Sequence, residues 1–300
     1  MKEYNNSESK SIRVNITEEI LVKVITPDYK LKTGIFMTWY TMAANVVSSK
    51  DLIWELFKRD FINVYKRTIF GISWVIISPL IGIISWVLLN SAGVLSPGET
   101  GIPYPAYVLV STTIWGLFLG FFTSSSNTLT SGKGFIDQVE YPHEALLIKQ
   151  ISEHIANFSI TLIVTFSSLL IFGVYPDWKI IFLPILMLPL LFLGSAIGLL
   201  SSMISVVALD VNKILTTLFG FLMYLTPVIY SADTDSKLLS SVIKYIPLSY
   251  LVGGVRDLIL YGNIDYWAEF LALSFVSFLF FLFALRVFYV AEDLVIEKIV

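Results

Sequence analysis

Six uncharged apolar segments, each close to the length of a membrane span, constrain the fold of this 300-residue chain more than any other feature. A helix needs about 20 mainly apolar residues to cross the roughly 30 Å hydrocarbon core of a bilayer. A charge at the centre of such a helix costs about 2.5–3.5 kcal/mol on an insertion scale, and none of the six contains one. The segments are 72–94, 106–122, 155–173, 180–207, 214–230 and 270–285. The sequence therefore predicts an all-α integral membrane protein with six transmembrane helices.

The composition agrees with a membrane protein and argues against other classes. Charged residues make up 14% of the chain and hydrophobic residues 56%, whereas a soluble globular protein carries about 25% charged residues. The net charge of −3 provides no basic field that would attract nucleic acid. There is no cysteine, and the two histidines are His143 and His154, which argues against thiol catalysis and a His-rich metal site. We therefore expect no catalytic residue, no metal and no cofactor in this chain.

The basic residues predict the orientation of the helices, because cytoplasmic loops carry an excess of Lys and Arg. If the N-terminus is cytoplasmic, 16 of the 20 basic residues fall on the cytoplasmic side. The cytoplasmic segments would be 1–71, 123–154, 207–213 and 286–300. We therefore expect a multi-pass protein with both termini in the cytoplasm.

Segment 238–262 is long enough to span a membrane, but charged and helix-breaking residues interrupt it. These are Lys244, Pro247, Gly253, Gly254, Arg256 and Asp257. We interpret the segment as two short helices, broken at Pro247, that dip into the outer leaflet and return. Irregular backbone at that depth must be covered by protein or line water. The alternative is a seventh span, which would place the C-terminus outside.

The chain before the first apolar segment falls into two parts, followed by a transmembrane domain at 68–300. Residues 1–50 are interpreted as a cytoplasmic N-terminal extension, in which 12–50 suggest a strand or loop pair on the membrane surface. Residues 51–67 predict an amphipathic helix in the plane of the interface. Its apolar face carries Ile53, Trp54, Phe57, Phe61, Val64 and Tyr65. This helix is either a passive anchor or a gate whose basic face meets an anionic, lipid-linked substrate.

The third apolar segment predicts a helix that begins in the cytoplasm near Leu146. Lys149 and Glu153 lie four residues apart on this helix and are able to form an ion pair. His154 is interpreted as part of the solvated helix face that carries Lys149 and Glu153, rather than as a ligand or a proton carrier.

The fourth apolar segment carries two local patterns. Gly194, Gly198 and Ser202 form a row of small residues that lets helices approach closely, either within one subunit or between two. Pro184 and Pro189 predict a kink in the outer half of this helix.

Three sequence blocks carry a family resemblance. The first is RDFINVYKRTIFGISWVIISPL at 59–80, the second is LTPVIYS at 225–231, and the third is IPLSYLVGGVRDLILYG at 246–262. The matching positions of the first block are Arg59, Asp60, Tyr65, Lys66, Gly71, Trp74 and Pro79. Together, and in this order, the blocks resemble the membrane subunits of ABC polysaccharide exporters, which have a type-2 ABC transmembrane domain. This class moves O-antigen, capsular polysaccharide and teichoic acid, and the resemblance runs from about residue 20 to 300.

The chain departs from the family pattern at two places. The family often has Arg-Asp after the fourth span, where this chain has Leu209 and Asp210. It often has Asn before the Pro-Leu pair of the third block, where this chain has Ile246. A role of that Arg or Asn therefore does not transfer to this chain.

The resemblance implies three groups of residues along the path of the substrate. The substrate entrance, or gate, would consist of Arg59, Asp60, Tyr65, Lys66 and Arg67. The candidates that line the channel, on the first and fifth spans, are Trp74, Trp86, Phe219, Phe221 and Tyr224. The outer gate would contain Pro247 and Arg256.

The energy source is expected outside this chain. The sequence has no phosphate loop of the form GxxxxGKS or GxxxxGKT and no chain of carboxylates or histidines within the apolar segments. The resemblance implies a separate cytoplasmic ATPase subunit, present in two copies, which binds ATP and Mg. The loop 123–145 would dock on it as a coupling loop or serve as an ordinary connector. The coupling residues would be Phe135, Asp137, Glu140, Tyr141 and Pro142.

The resemblance thus implies the permease subunit of an exporter, acting as a homodimer in the bacterial cytoplasmic (inner) membrane. The cargo would be a polysaccharide linked to polyprenyl pyrophosphate. One alternative is an ABC exporter of drugs or other small molecules. A secondary transporter would need a coupling-ion site. A membrane glycan enzyme would need paired carboxylates, for which the outer loops offer Asp233, Asp235, Asp257 and Asp265.

Overall fold

A computed structural model describes residues 30, 33–66, 69–94, 97–131, 142–208, 210–231 and 237–296. Within these ranges the regular secondary structure is helical, without strands. The helices are α1 (Ile35–Ser48), α2 (Lys50–Lys66), α3 (Trp74–Ser91), α4 (Tyr104–Ser126), α5 (His143–Ile171), α6 (Leu188–Ser205), α7 (Asp210–Leu225), α8 (Lys237–Tyr245), α9 (Pro247–Tyr261) and α10 (Trp267–Ile296). Short helical turns occupy Gly71–Ser73, Thr128–Ser131, Trp178–Phe182 and Leu183–Leu186. The predicted all-α class is confirmed.

Among the residues that the structure describes, four helical stretches are long and apolar enough to cross a membrane. They are Tyr104–Ser126, His143–Ile171, Trp178–Ser205 and Trp267–Ala291, and a shorter apolar helix covers Ile76–Ser91. Their length and composition agree with a multi-pass membrane protein. The predicted total of six spans stays a prediction, because α7 has 16 residues and the apolar stretch of α3, Ile76–Ser91, is shorter than the four.

The centre of the fold is the packing of α6 against α4 on one side and α10 on the other. A Cβ at Gly194 would lie 2.8 Å from the carbonyl oxygen of Phe118, and one at Gly198 would lie 2.5 Å from that of Phe122. The two glycines therefore let α6 touch the backbone of α4. Ser202, the third member of the row, is fully buried. The predicted small-residue row packs within the subunit.

Prolines mark two helix boundaries in the structure. Pro184 and Pro189 lie in the first turns of successive helices, Leu183–Leu186 and α6, so the fourth apolar segment is interrupted in its N-terminal half. Pro142 precedes α5, whose 29 residues begin before the apolar segment at 155–173. Proline fits both places because the first helical turn needs no backbone N–H donor.

The N-terminal prediction was wrong for residues 35–48, which form helix α1 rather than a strand or loop pair. Thr38 and Met42 lie one turn apart and are buried, which gives the helix an inner face. The indole of Trp39 donates to the carbonyl oxygen of Leu282 at 3.2 Å, and Arg286 donates to that of Thr33 at 2.8 Å. These bonds attach the start of α1 to α10. Long-range contacts of this kind determine the secondary structure of a segment whose local sequence pattern is weak.

The predicted outer hairpin consists of α8 and α9, which are separated at Ile246 as expected from Pro247. Helix α9 ends at Gly262, which adopts a left-handed conformation with φ of 68°. Lys179 donates to the carbonyl oxygen of Gly262 at 2.7 Å, which ties this end to the turn Trp178–Phe182. The two-helix form is present, whereas its re-entrant position in the membrane stays a prediction.

Candidate functional site

The amphipathic helix α2 is joined to α5 by a network of charged side chains. Arg59 donates from Nε to Oδ1 of Asp60 at 2.7 Å and from Nη2 to Oδ2 at 3.2 Å. Lys149 places its Nζ 2.6 Å from Oδ2 of Asp60 and 2.9 Å from Oε1 of Glu153. The predicted pair of Lys149 and Glu153 is therefore present. The contact with Asp60 was not predicted from the sequence.

Burial makes this network more than a surface ion pair. Lys149 is 5% exposed, so its ammonium group depends on the two carboxylates for compensation. Partial burial of Asp60 raises the pKa of its carboxyl, but hydrogen bonds from Arg59 and Lys149 outweigh this influence and lower that pKa. Asp60 is thus ionised at neutral pH and holds Arg59 and α5 together.

The other predicted gate residues lie on the exposed side of α2 or beyond the described part. Lys66, at the last position of the helix, is exposed. Arg67 lies outside the described residues, as does the side chain of Tyr65. Lys58 is half-exposed and pairs with Glu55 at 3.0 Å. Helix α2 therefore presents positive charge outward at Lys58, Arg59 and Lys66.

A cavity of about 550 Å³ lies between α3, α4 and α5. Its lining consists of Trp74, Ser78, Gly82, Trp86, Thr112, Thr113, Gly116, His154, Asn157, Phe158 and Thr161. The four α3 residues are four positions apart, so two indoles flank two small residues on one face. Ligand sites of this size commonly combine aromatic walls with a few polar groups. Trp74 and Trp86, both predicted to line the channel, share this cavity.

The sequence suggested that His154 lies on a solvated helix face with Lys149, and the structure contradicts this. Its ring is mostly buried against α4, where Nε2 is 3.0 Å from the carbonyl oxygen of Leu117 and the ring meets Phe121 edge-on. The space exists because residue 120 is glycine: a Cβ there would lie 1.8 Å from Cε1 of His154. This histidine packs two helices together and forms part of the cavity wall.

Of the three candidates on α7, one is buried and two are exposed. Phe219 is buried and meets Phe118 and Phe122 edge-on, with ring centroids 5.1 and 4.9 Å away. It therefore packs inside the subunit, away from a channel surface. Phe221 is 61% exposed and Tyr224 is 50% exposed. The ring of Tyr224 lies 6.1 Å from that of Trp86, so these two candidates form a continuous surface on α3 and α7.

At the other end of the fold, Arg256 links the second and third sequence blocks. Its side chain is buried, and Nη1 donates to the carbonyl oxygen of Pro227 and the hydroxyl oxygen of Tyr107, both at 2.6 Å. The hydroxyl of Tyr107 in turn donates to the carbonyl oxygen of Tyr230 at 2.8 Å. Nε of Arg256 donates to Asp257 at 2.8 Å. Arg256 thus fixes α9 to α4 and to the end of α7.

The two outer-gate candidates therefore occupy different environments. Pro247 is exposed at the first position of α9. Arg256 is inside the packing and reaches Tyr107, which the sequence reasoning did not select. The sequence did contain a signal for this contact, because an arginine in an apolar segment needs hydrogen-bond partners. Tyrosine is one of the few side chains in apolar helices that can serve as such a partner.

The predicted coupling residues lie almost entirely outside the described part of the chain. Phe135, Asp137, Glu140 and Tyr141 belong to the range 132–141, which is not described. Pro142, the last of the group, precedes α5. On the other side of this range, Asn212 of α7 donates to the carbonyl oxygen of Ser126 at 3.4 Å, at the end of α4. The hydroxyl of Ser201 donates to the same Asn212 side chain.

Comparison with known proteins identifies the family. The sequence profile of the ABC-2 type transporter family matches residues 51–260. An O-antigen export system permease protein RfbA of Klebsiella pneumoniae is 20% identical over 229 residues, which cover 76% of this chain and 86% of that protein. The protein of the same name from Myxococcus xanthus is 21% identical over 186 residues, covering 62% of this chain and 70% of its own. The chain is therefore a multi-pass membrane protein that belongs to the ABC-2 type transporter family.

Proposed function

We propose that this chain is the permease subunit of an ATP-driven exporter that moves a polysaccharide linked to polyprenyl pyrophosphate across the cytoplasmic membrane. The observation that carries the proposal is the extent of the similarity. Relatives named O-antigen export permeases align over most of this chain and most of their own length. The family match also includes all three sequence blocks except the last residues of the third.

The charged surface of α2 supports the proposal that the substrate is linked to a lipid pyrophosphate. A pyrophosphate group carries negative charge, and guanidinium and ammonium groups are its usual partners in proteins. Arg59 keeps its orientation through Asp60 and Lys149, and Lys66 is exposed on the same helix. Arg59 and Lys66, together with Arg67, would receive the head group at the cytoplasmic face. Tyr65 would contribute at the same entrance.

The cavity, with its indoles and a few hydroxyl and amide side chains, supports a sugar polymer as cargo. Sugar rings have apolar C–H faces that stack on aromatic rings and hydroxyl groups that bond to hydroxyl and amide side chains. Trp74 and Trp86 offer the rings, and Thr112, Thr161 and Asn157 line the same space. Phe221 and Tyr224 extend the aromatic surface toward α7. Phe219, in contrast, would act by packing.

The proposal requires partners that this chain does not provide. A cytoplasmic ATPase would bind ATP and Mg and dock on the loop around 132–141. Two copies of this permease would form the channel between them, with both termini in the cytoplasm. Because α5 begins just after the docking loop, its first turns would receive the movement of the ATPase.

Co-purification with the ATPase tests the proposal. The tagged chain is purified from its native host, and its complex with the ATPase that co-purifies is placed in lipid nanodiscs. We expect ATP hydrolysis to rise when lipid-linked oligosaccharide is added and to stay unchanged with the same oligosaccharide free of lipid. Failure to recover an ATPase, or stimulation by amphipathic drugs instead of lipid-linked oligosaccharide, would contradict the proposed cargo.

A further inference from the structure

A second cavity of about 550 Å³ forms a groove between the α1–α2 junction, α2 and α5, separate from the cavity that contains the tryptophans of α3. Val47 comes from the last turn of α1, Ile53 and Phe57 come from α2, and Ile148 and Ile155 come from α5. The groove is apolar apart from Lys50 and Ser152, and the Ser152 hydroxyl donates to the carbonyl oxygen of Ile148 at 2.7 Å. The interior therefore suits a hydrocarbon chain better than a sugar.

The groove lies where α5 changes from charged to apolar. Glu144, Lys149 and Glu153 are in its first three turns, and residues 154–171 contain no Asp, Glu, Lys or Arg. The boundary between head groups and acyl chains lies where a spanning helix makes this change. Trp54 is 58% exposed beside the groove and stacks on Phe57, as expected at this depth.

Lys50 supplies a positive charge to the lining of this apolar space. It is exposed and forms no ion pair or side-chain hydrogen bond within the described part of the chain. The neighbouring cations of α2 differ, because Lys58 is paired with Glu55 and Arg59 with Asp60. An ammonium group beside an apolar groove complements a molecule with one phosphate and a hydrocarbon chain.

We propose that this groove binds one acyl chain of an anionic phospholipid, whose phosphate binds Lys50. The groove volume lies within the range of about 300–1,000 Å³ that is common for ligand sites. The bound lipid would fill a space between α2 and α5 that neither Asp60 nor Lys149 lines. The site is independent of the identity of the exported cargo.

Brominated lipids test this site, because bromine on an acyl chain quenches a nearby tryptophan. The full chain is purified in mild detergent, and brominated phosphatidylglycerol or brominated phosphatidylcholine is added. The signal of Trp54 is the difference between the wild-type chain and Trp54→Phe. We expect saturable quenching of Trp54, reached at roughly tenfold less phosphatidylglycerol than phosphatidylcholine, as one charge-assisted contact would give. Lys50→Gln should remove this preference.

A groove-filling variant separates the site from ordinary contact with lipid. Ala156 lines the groove, and Ala156→Phe should abolish the saturable quenching. Ser167→Phe is the control, because Ser167 is exposed on the same helix and does not line the groove. Equal quenching by both lipids in wild type and Lys50→Gln would overturn the proposal. So would protection of Trp54 from every lipid, as expected if residues 1–29 or a second copy cover the groove, and so would retention of a polyprenyl phosphate instead of phospholipid in native mass spectrometry.

Discussion

Lys149 of α5 and Asp60 of α2 form an ion pair of 2.6 Å, with Lys149 almost fully buried. Helix α5 starts directly after Pro142, at the end of the loop that we expect to contact an ATPase. Helix α2 carries the basic residues that we expect to meet the substrate. The ion pair is therefore a direct physical link between the two ends of the proposed coupling path.

The first prediction concerns the energy of this link. Asp60→Asn and Lys149→Met should each lower the free energy of unfolding by about 1–3 kcal/mol, since each leaves a partly buried charge with fewer partners. The double variant should lose clearly less than the sum of the two, because both remove one shared contact. Thermal unfolding of the purified chain measures this. Lys58→Met, which removes an exposed pair, should cost less than about 1 kcal/mol. Strict additivity would show that the two side chains do not interact.

The second prediction concerns the contact between α4 and α6. Gly198→Ala should destabilise the chain by about 1–3 kcal/mol, because the new Cβ would lie 2.5 Å from the carbonyl oxygen of Phe122. Gly220→Ala is a matched control on α7, where a Cβ meets nothing within 4 Å, so helix propensity should leave it neutral or slightly stabilised. The midpoint of thermal unfolding measures both. Equal midpoints for the two variants would argue against the close packing.

The third prediction concerns the buried arginine of α9. Arg256→Met should cost about 3–5 kcal/mol, because Asp257, Tyr107 and the carbonyl oxygen of Pro227 lose their common donor. Tyr107→Phe should cost about 1–3 kcal/mol through the loss of a buried hydroxyl. Tyr261→Phe serves as the control, since its hydroxyl bonds to Thr100 at an exposed position. A chain that tolerates Arg256→Met as well as Tyr261→Phe would show that Arg256 does not hold α9 in place.

The fourth prediction separates transport from assembly at the entrance. Combined replacement of Arg59, Lys66 and Arg67 by Ala should lower the polymer at the cell surface by roughly tenfold or more, as expected for lost contacts to a charged head group. The complex with the ATPase should still co-purify. Lys58→Ala, which removes a cation already paired with Glu55, should retain most export. Wild-type surface polymer in the triple variant would contradict the role of this helix as a gate.

Local patterns predicted much of the helical fold. The long uncharged segments predicted α4, α5, α6 and α10. A charge in lipid is so costly that the lack of charge over such a length is enough to predict a span. The prolines predicted the breaks before α6 and α9. The four-residue spacing predicted the pair of Lys149 and Glu153.

Contacts between residues distant in sequence were not predictable in the same way. The bond between Arg256 and Tyr107 joins residues 149 positions apart, and the partner of Asp60 lies on another helix. Helix α1 depends on bonds from α10, and His154 lies against α4 because residue 120 lacks a side chain. Such features depend on which helices are neighbours, which single-segment patterns do not contain.

Translocation in inside-out membrane vesicles tests the proposed export function most directly. Vesicles that contain this chain and its ATPase receive labelled lipid-linked polysaccharide on their outer, cytoplasmic face, followed by ATP and then a glycosidase. The account predicts that ATP makes a growing fraction of the polymer resistant to the glycosidase, and that a non-hydrolysable ATP analogue or omission of this chain prevents it. Polymer that stays fully cleavable with ATP, or becomes protected without this chain, would contradict the account.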